Sequence, residues 1–256
     1  MKSMKVGDLK ITYRENTSDE DVIHHSFDND IFLTGMPEYV PSRDDIVLDV
    51  GAHIGTFSLL LANQVKQIFA IEPSLESFEV LNSNIKGNRI QNVKLFQIAL
   101  SEQTGEAKLY YDVEHGNWGH SITKEFSEAG EIVKTISLDD FFEKNLIKRC
   151  DFIKFNCEGA EFDILLSASE KTLNKIDKML VLYHADLNTK YSLQQLLSFI
   201  GKNGFYTEIR KQEKDKSRGW IICCKANWFQ KILFSSRYIF KRVTNKMSRI
   251  FSSIKR

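Results

Sequence analysis

The chain has 256 residues, 42% of them hydrophobic, and its eighteen Phe, eight Tyr and three Trp can bury a sizeable core. Disorder of the bulk and dependence on disulfide or metal staples are therefore excluded. The formal charge of +1 hides an asymmetry: residues 225–256 hold nine Lys or Arg and no acid, leaving 26 basic against 34 acidic side chains before them, a net of −8; an acidic body with a basic tail signals a partner, not a fold.

Residues 1–43 read as a cover or lid segment ahead of the main domain, with His24 and His25 solvated in an acidic, helix-like stretch. From residue 44 to 224, short β-branched runs alternate with longer helical segments. I-V-L-D-V at 46–50 predicts a buried strand, followed by a glycine turn and a helix over 56–63. Residues 67–71 predict a second strand and 74–88 a helix, whose first turn carries Glu76 and Glu79. A third strand is expected at 93–97, and 105–112 with 116–135 look like an inserted strand and loop. Further strands follow at 152–156 and 179–183, with a helix over 160–168 between them. A helix over 193–203 stops at Gly204, and 205–210 with 220–224 form a terminal strand pair. Cys223 and Cys224 are adjacent in that run, so their side chains should point to opposite faces. No Cys-x-x-Cys occurs, and neither a disulfide framework nor a zinc cage is expected. The alternation predicts an α/β fold, a doubly wound and mostly parallel sheet covered on both faces. Its ligand belongs beyond the carboxyl ends of the strands.

The first strand runs into D-V-G-A-H-I-G-T at 49–56, and Glu72 ends the second strand 23 residues after Asp49. Gly51 and Gly55 permit a tight turn and a close backbone approach, and Glu72 stands where a carboxylate can accept both hydroxyls of a ribose. A dinucleotide site has a further glycine in the middle of the turn; here Ala52, His53 and Ile54 fill it, which argues against NAD and for a nucleoside without pyrophosphate. S-adenosylmethionine fits, with its ribose at Glu72 and its amino-acid end near Asp49. The bland alternative is a helix cap with a solvated Glu72.

Four ordered blocks, V-L-D-V-G-A-H-I-G-T-F-S, A-I-E-P-S, N-V-K-L-F-Q-I-A-L-S and D-F-I-K-F-N-C-E-G-A-E-F-D-I-L, resemble the FkbM-type methyltransferases over roughly residues 31–224. The resemblance implies a seven-stranded, Rossmann-like class I methyltransferase fold with S-adenosyl-L-methionine as cofactor. It assigns cofactor contacts to Asp49, Gly51, Gly55 and Glu72, and places Ala99 beside the adenine; His53, within the same turn, is a further cofactor-binding candidate. Two positions depart from the family: His53 stands where Asn is frequent, and Asn156 where Asp is frequent, which weakens the case for a carboxylate base there.

Methyl transfer to oxygen needs a positioned donor, an in-line acceptor and a base for the hydroxyl proton. Asn156, Glu158 and His184, at the ends of the fourth and fifth strands, are the catalytic candidates, His184 because a neutral imidazole titrates near the operating pH. Glu161 is a substrate-binding candidate that is equally placed to cap the helix beginning at Gly159. In the insertion, G-N-W-G-H-S at 116–121 makes a poor strand and a good ligand loop, so Trp118, His120 and Ser121 are expected at the substrate; a surface hairpin is the alternative. No ligand spacing supports a metal site.

Residues 228–254 contain no Gly, Pro or acid. At helical spacing Trp228, Ile232, Ile239, Val243, Ile250 and Ile254 fall on one apolar stripe, with Lys231, Arg237, Lys241 and Arg249 away from it. Such a helix would be ~40 Å long, too charged to span a bilayer but suited to lie on an anionic surface. Packing on the body, or in a homodimer, is the alternative; a nucleic-acid arm would waste the stripe. With no apolar h-region at the start and no 18-residue uncharged apolar run, the expectation is a cytoplasmic protein, peripheral at the inner face of the membrane. The composite expectation is an O-methyltransferase acting on a hydroxyl of a saccharide, in a glycan or lipid-linked glycan. Its rivals are a catalytically idle adapter that docks by the tail and, on the same sheet, an NAD-dependent oxidoreductase.

Overall fold

The computed structural model describes residues 1–28, 31–112, 120–126 and 128–225. In chain order the elements are β1 (Lys2–Val6), β2 (Leu9–Tyr13), α1 (Asp19–Phe27), α2 (Ile31–Gly35), β3 (Ile46–Val50), α3 (Thr56–Leu61), β4 (Gln67–Ile71) and α4 (Leu75–Gly87). They continue with β5 (Val93–Phe96), β6 (Ala99–Ser101), β7 (Gly105–Tyr110), β8 (Gly130–Ser137), α5 (Leu138–Lys144), β9 (Phe152–Phe155) and α6 (Ala160–Ser167). The last are α7 (Glu170–Leu173), β10 (Lys178–His184), α8 (Leu193–Lys202), β11 (Phe205–Arg210) and β12 (Arg218–Lys225).

Seven strands form the main sheet in the order β11-β12-β10-β9-β3-β4-β5. Strands β5, β4, β3, β9 and β10 are parallel neighbours, and β12 alone runs antiparallel, between β10 and β11. Period-two alternation sorts the side chains. Val50, Ile71, Phe155, Val181 and Cys223 enter the core under α5, α6 and α8, whereas Val47, Ile68, Phe152, Leu180 and Cys224 enter the one that holds Phe32, Met36 and Phe57. The two adjacent cysteines thus face opposite sides, as expected.

Two additions differ from the sequence reading. The inserted strand and loop is a three-stranded sheet, β6-β8-β7, because 130–137 forms a strand antiparallel to β7 and parallel to β6. The cover segment begins with a hairpin, β1–β2, whose exposed face lacks the apolar run that marks a buried strand. Asn84 of α4 ties that hairpin to the body, its amide accepting from Thr12 N at 2.7 Å and donating to Thr12 O at 3.0 Å. Helix α1 is held to α3 through Ser26 Oγ, which donates to Thr56 Oγ1 at 2.8 Å. The basic tail, and with it the expected C-terminal amphipathic helix, lies outside the described residues.

Candidate active site

Sheet order reverses between β3 and β9: the chain leaves β3 for β4 on one side and later returns as β9 on the other. Such a switch point opens a crevice at the carboxyl ends of the strands. A cavity of about 720 Å³ lies there, within the range of small-ligand sites. Gly51, at φ +73°, sits so close to the opposite strand that a Cβ would lie 1.9 Å from Asn156 O. Gly55, at φ +90°, would bring a Cβ to 2.4 Å from a Leu81 methyl. Both glycines are therefore required by the protein's own packing, which clamps the turn between β9 and α4.

On the β4 side, Glu72 accepts hydrogen bonds from His53 N at 2.8 Å and Ser74 N at 3.0 Å. Burial raises its pKa, partly offset by His53. The fixed carboxylate lines the cavity together with Ala99, Leu100, Leu109 and Ile122. His53, at φ +53°, lines the cavity as well, and its Nε2 lies 3.2 Å from Asp19 Oδ1 and 3.1 Å from an Arg14 guanidinium nitrogen. Burial alone would raise the pKa of Asp19, but hydrogen bonds from His53 and Arg14 outweigh it and hold the carboxyl below its usual range. The cover segment thus locks onto the glycine turn. Asp49 itself is fully buried and does not reach the cavity wall. Its carboxylate accepts from Ser58 Oγ at 2.8 Å and Lys154 Nζ at 3.0 Å, and it is Lys154 that reaches the cavity wall.

On the β9–β10 side, Asn156, Glu158 and His184 line the cavity. Glu158 and Gly159 are consecutive left-handed residues, at φ +49° and +100°. A Cβ on Gly159 would lie 2.6 Å from Thr123 Oγ1, so only glycine fits, while strain at Glu158 marks a site the fold holds in place. His184 Nε2 is 3.4 Å from Glu158 Oε2, and its Nδ1 is 3.1 Å from Glu161 Oε1. Burial lowers the imidazole pKa, but the Glu158 and Glu161 charges overcome it and raise it to about 9. His184 is therefore a cation at neutral pH, not the neutral imidazole the sequence suggested. Burial raises the pKa of Glu158, offset in part by His184.

Glu161 and Ser121 lie behind the wall. Glu161 accepts from Cys157 N and Gly159 N, both at 2.9 Å, and orients His184. Ser121 is fully buried and donates to Glu158 O at 2.6 Å. Neither lines the cavity: Glu161 holds His184 and Ser121 holds the Glu158 backbone. His120 does line the cavity, and its Nδ1 accepts from Asp112 N at 3.3 Å. Burial first, then the charges of His53 and Arg14, push its pKa down to about 4, so it is neutral. Trp118 lies outside the described residues. Lys154, Arg14 and Asp19 were missed from sequence; the signal for Lys154 was a lone cation in an otherwise apolar central strand. Among the described residues no group of three or more His, Cys, Asp or Glu is arranged to hold a metal ion.

A parallel sheet with one reversed strand, a glycine turn after β3 and a carboxylate after β4 define a Rossmann-like class I methyltransferase. The crystal structure of a methyltransferase FkbM from Methylobacillus flagellatus KT shares this fold, with a TM-score of 0.51 at 16% identity over 75% of this chain and 46% of that one. Residues 49–207 match the methyltransferase FkbM domain, and the chain belongs to that family. It is similar to the hexuronic acid methyltransferase AglP of Haloferax volcanii, 27% identical over 175 residues that cover 68% of this chain and 69% of that protein. It is also similar to methyltransferase 1 of Beauveria bassiana, 27% identical over 174 residues covering 59% and 70%. The chain is thus a methyltransferase, and S-adenosylmethionine is its methyl donor. The cavity fits that donor: Glu72 is an acceptor-only group with its backbone bonds made, open to ribose hydroxyls, beside an apolar slot suited to adenine.

Proposed function

We propose that the protein methylates a hydroxyl oxygen of a saccharide, in a glycan or lipid-linked glycan, with Glu158 as the base. The observation that carries this reading is the buried Glu158–His184–Glu161 cluster on the acceptor side of the cavity. When bound, S-adenosylmethionine would supply an electrophilic methyl group, the new O–C bond forming as the sulfonium S–C bond breaks and S-adenosylhomocysteine leaves. Glu72 would hold the ribose hydroxyls and Ala99 would flank the adenine, with His53 and Gly51 shaping the turn beneath. Glu158 takes the proton of the acceptor hydroxyl on its carboxylate, and burial, by raising its pKa above the ordinary carboxylate value, makes it a stronger base. The His184 cation keeps Glu158 ionised and in place, and Glu161 fixes the imidazole. Asn156 and His120 remain as neutral hydrogen-bonding groups on the wall.

The saccharide assignment draws on the relative named a hexuronic acid methyltransferase and on the outer wall. There Asp186, Glu213, Lys211, Arg218 and Trp220 offer both charge signs and an aromatic ring, the mixture that polyhydroxylated ligands use. Residues 1–43 act as a cover, 44–224 as the catalytic domain, and 225–256 as a basic tail that lays its apolar stripe on an anionic membrane surface at the cytoplasmic side. No helix among the described residues is long and apolar enough to cross a membrane. The test is transfer of labelled methyl groups into uronic-acid and neutral oligosaccharides, free and lipid-linked, with the product linkage read by mass spectrometry. A methyl ether on a sugar supports the proposal; label confined to protein or RNA overturns it.

A further inference from the structure

Strand β9 places one cation at the centre of the main sheet. Lys154 lies between Phe152 and Phe155, and its side chain is only 4% exposed. A buried ammonium is strongly unfavourable unless its donors are satisfied and its charge is paired. Two donors are used, to Asp49 Oδ1 at 3.0 Å and to Gly51 O at 2.6 Å. Among the described residues no acceptor takes the third N–H, and Nζ stands 5.6 Å from the Phe32 ring centroid. Lys154 belongs to the cavity wall, whereas Asp49, fully buried beneath it, does not. The pair therefore presents its cation to the cavity and keeps its carboxylate behind.

Its location is equally specific. Asp49 pairs in register with Ala70 on one side and Lys154 on the other, so β3 separates Lys154 from the strand that carries Glu72. A ligand with its ribose at Glu72 that crosses the glycine turn reaches β9 after two strand spacings, about 10 Å. Adenine, with its apolar slot beside Ala99, lies the other way. The part of the donor that arrives over β9 is its amino-acid end, which carries a carboxylate.

We propose that the third N–H of Lys154 receives the carboxylate of the donor's amino-acid end, and that Asp49 is a positioning residue acting on the donor only through Lys154. This inference rests on the placement of the ribose at Glu72. It gives the acidic residue at the end of β3 a different task from direct contact. Asp49 and Ser58 hold the ammonium in a single position, with one donor left for the ligand.

The test compares two ligands by calorimetry on the full-length protein. S-adenosylhomocysteine carries the carboxylate, and S-adenosyl-3-thiopropylamine lacks only that group. Wild type should prefer the first by tenfold or more, as a charge-assisted hydrogen bond in a dry site demands. In Lys154→Met the preference should vanish through lost S-adenosylhomocysteine affinity, with the amine bound within about threefold of wild type. Because Lys154→Met strands a buried carboxylate, the double variant Asp49→Asn with Lys154→Met keeps the pair neutral and should give the same ligand pattern. Equal loss for both ligands in a folded variant, or no preference in wild type, would overturn the assignment. Glu72→Ala separates the two readings: it should weaken both ligands by the same factor, and an unchanged Glu72→Ala would remove the ribose placement instead.

Discussion

The two halves of the cavity are built by different means. The β3–β4 half is made chiefly of backbone: a turn with two left-handed glycines, two N–H groups that fix Glu72, and apolar walls. The β9–β10 half is made of buried ionisable side chains, Glu158, Glu161 and His184, brought together from two strand ends and tethered by Ser121 of the insertion. A site framed by backbone suits one invariant ligand, and it is where the donor is proposed to bind. A side-chain site whose charge state is set by neighbours can tune a proton transfer. Binding and chemistry should therefore separate on mutation.

The largest expected effect is on the acceptor half. Glu158→Gln should lower turnover by about 10²-fold or more, since it removes the proposed base and keeps the shape. Next comes the donor half: Glu72→Ala should cost about 2 kcal/mol of S-adenosylmethionine affinity, measured by calorimetry, while turnover at saturating donor stays close to wild type. If both variants lose affinity and turnover together, the halves are not distinct.

The pH profile sharpens the same contrast. Turnover should rise with pH as Glu158 ionises and fall again near pH 9, where His184 loses its proton. An imidazolium donates from both nitrogens, but a neutral ring donates from one, so one carboxylate then meets a lone pair. The folded pKa of His184 lies above its unfolded value near 6.5, so the stability it contributes is fully present below about pH 6.5 and lost as pH rises through about 9. Donor affinity should show no step at pH 9. A smaller effect concerns the tail: the full-length protein should sediment with anionic vesicles at low salt and less so at high salt. Truncation after Lys225, which still closes β12, should abolish sedimentation and spare donor affinity.

The same division explains what could be read from the sequence. The glycine turn and the carboxylate of the β3–β4 half were legible because their signals are local: the turn follows β3 directly, and Glu72 comes at the end of the next strand. The seven sheet strands were legible from their apolar runs. The acceptor half was legible only as a list of polar residues at strand ends. Charge states depend on contacts between residues 23 to 37 positions apart, such as Glu161 with His184 and Ser121 with Glu158, and these no pattern reveals. Hence the carboxylates around His184, and the contacts that Ser121 and Glu161 make inside the fold, were not legible. The partner of Asp49 was hidden for a related reason, because Lys154 lies 105 residues away on the neighbouring strand. The hairpin β1–β2 and strand β8 were missed because they are half-exposed and carry charges on their open faces.

The most direct test of the separation is a paired measurement on Glu158→Gln: S-adenosylhomocysteine affinity by calorimetry, and single-turnover methyl transfer at saturating donor. The account predicts affinity within about threefold of wild type and transfer slower by about 10²-fold or more. Transfer at the wild-type rate, or affinity lost in step with transfer, would contradict it.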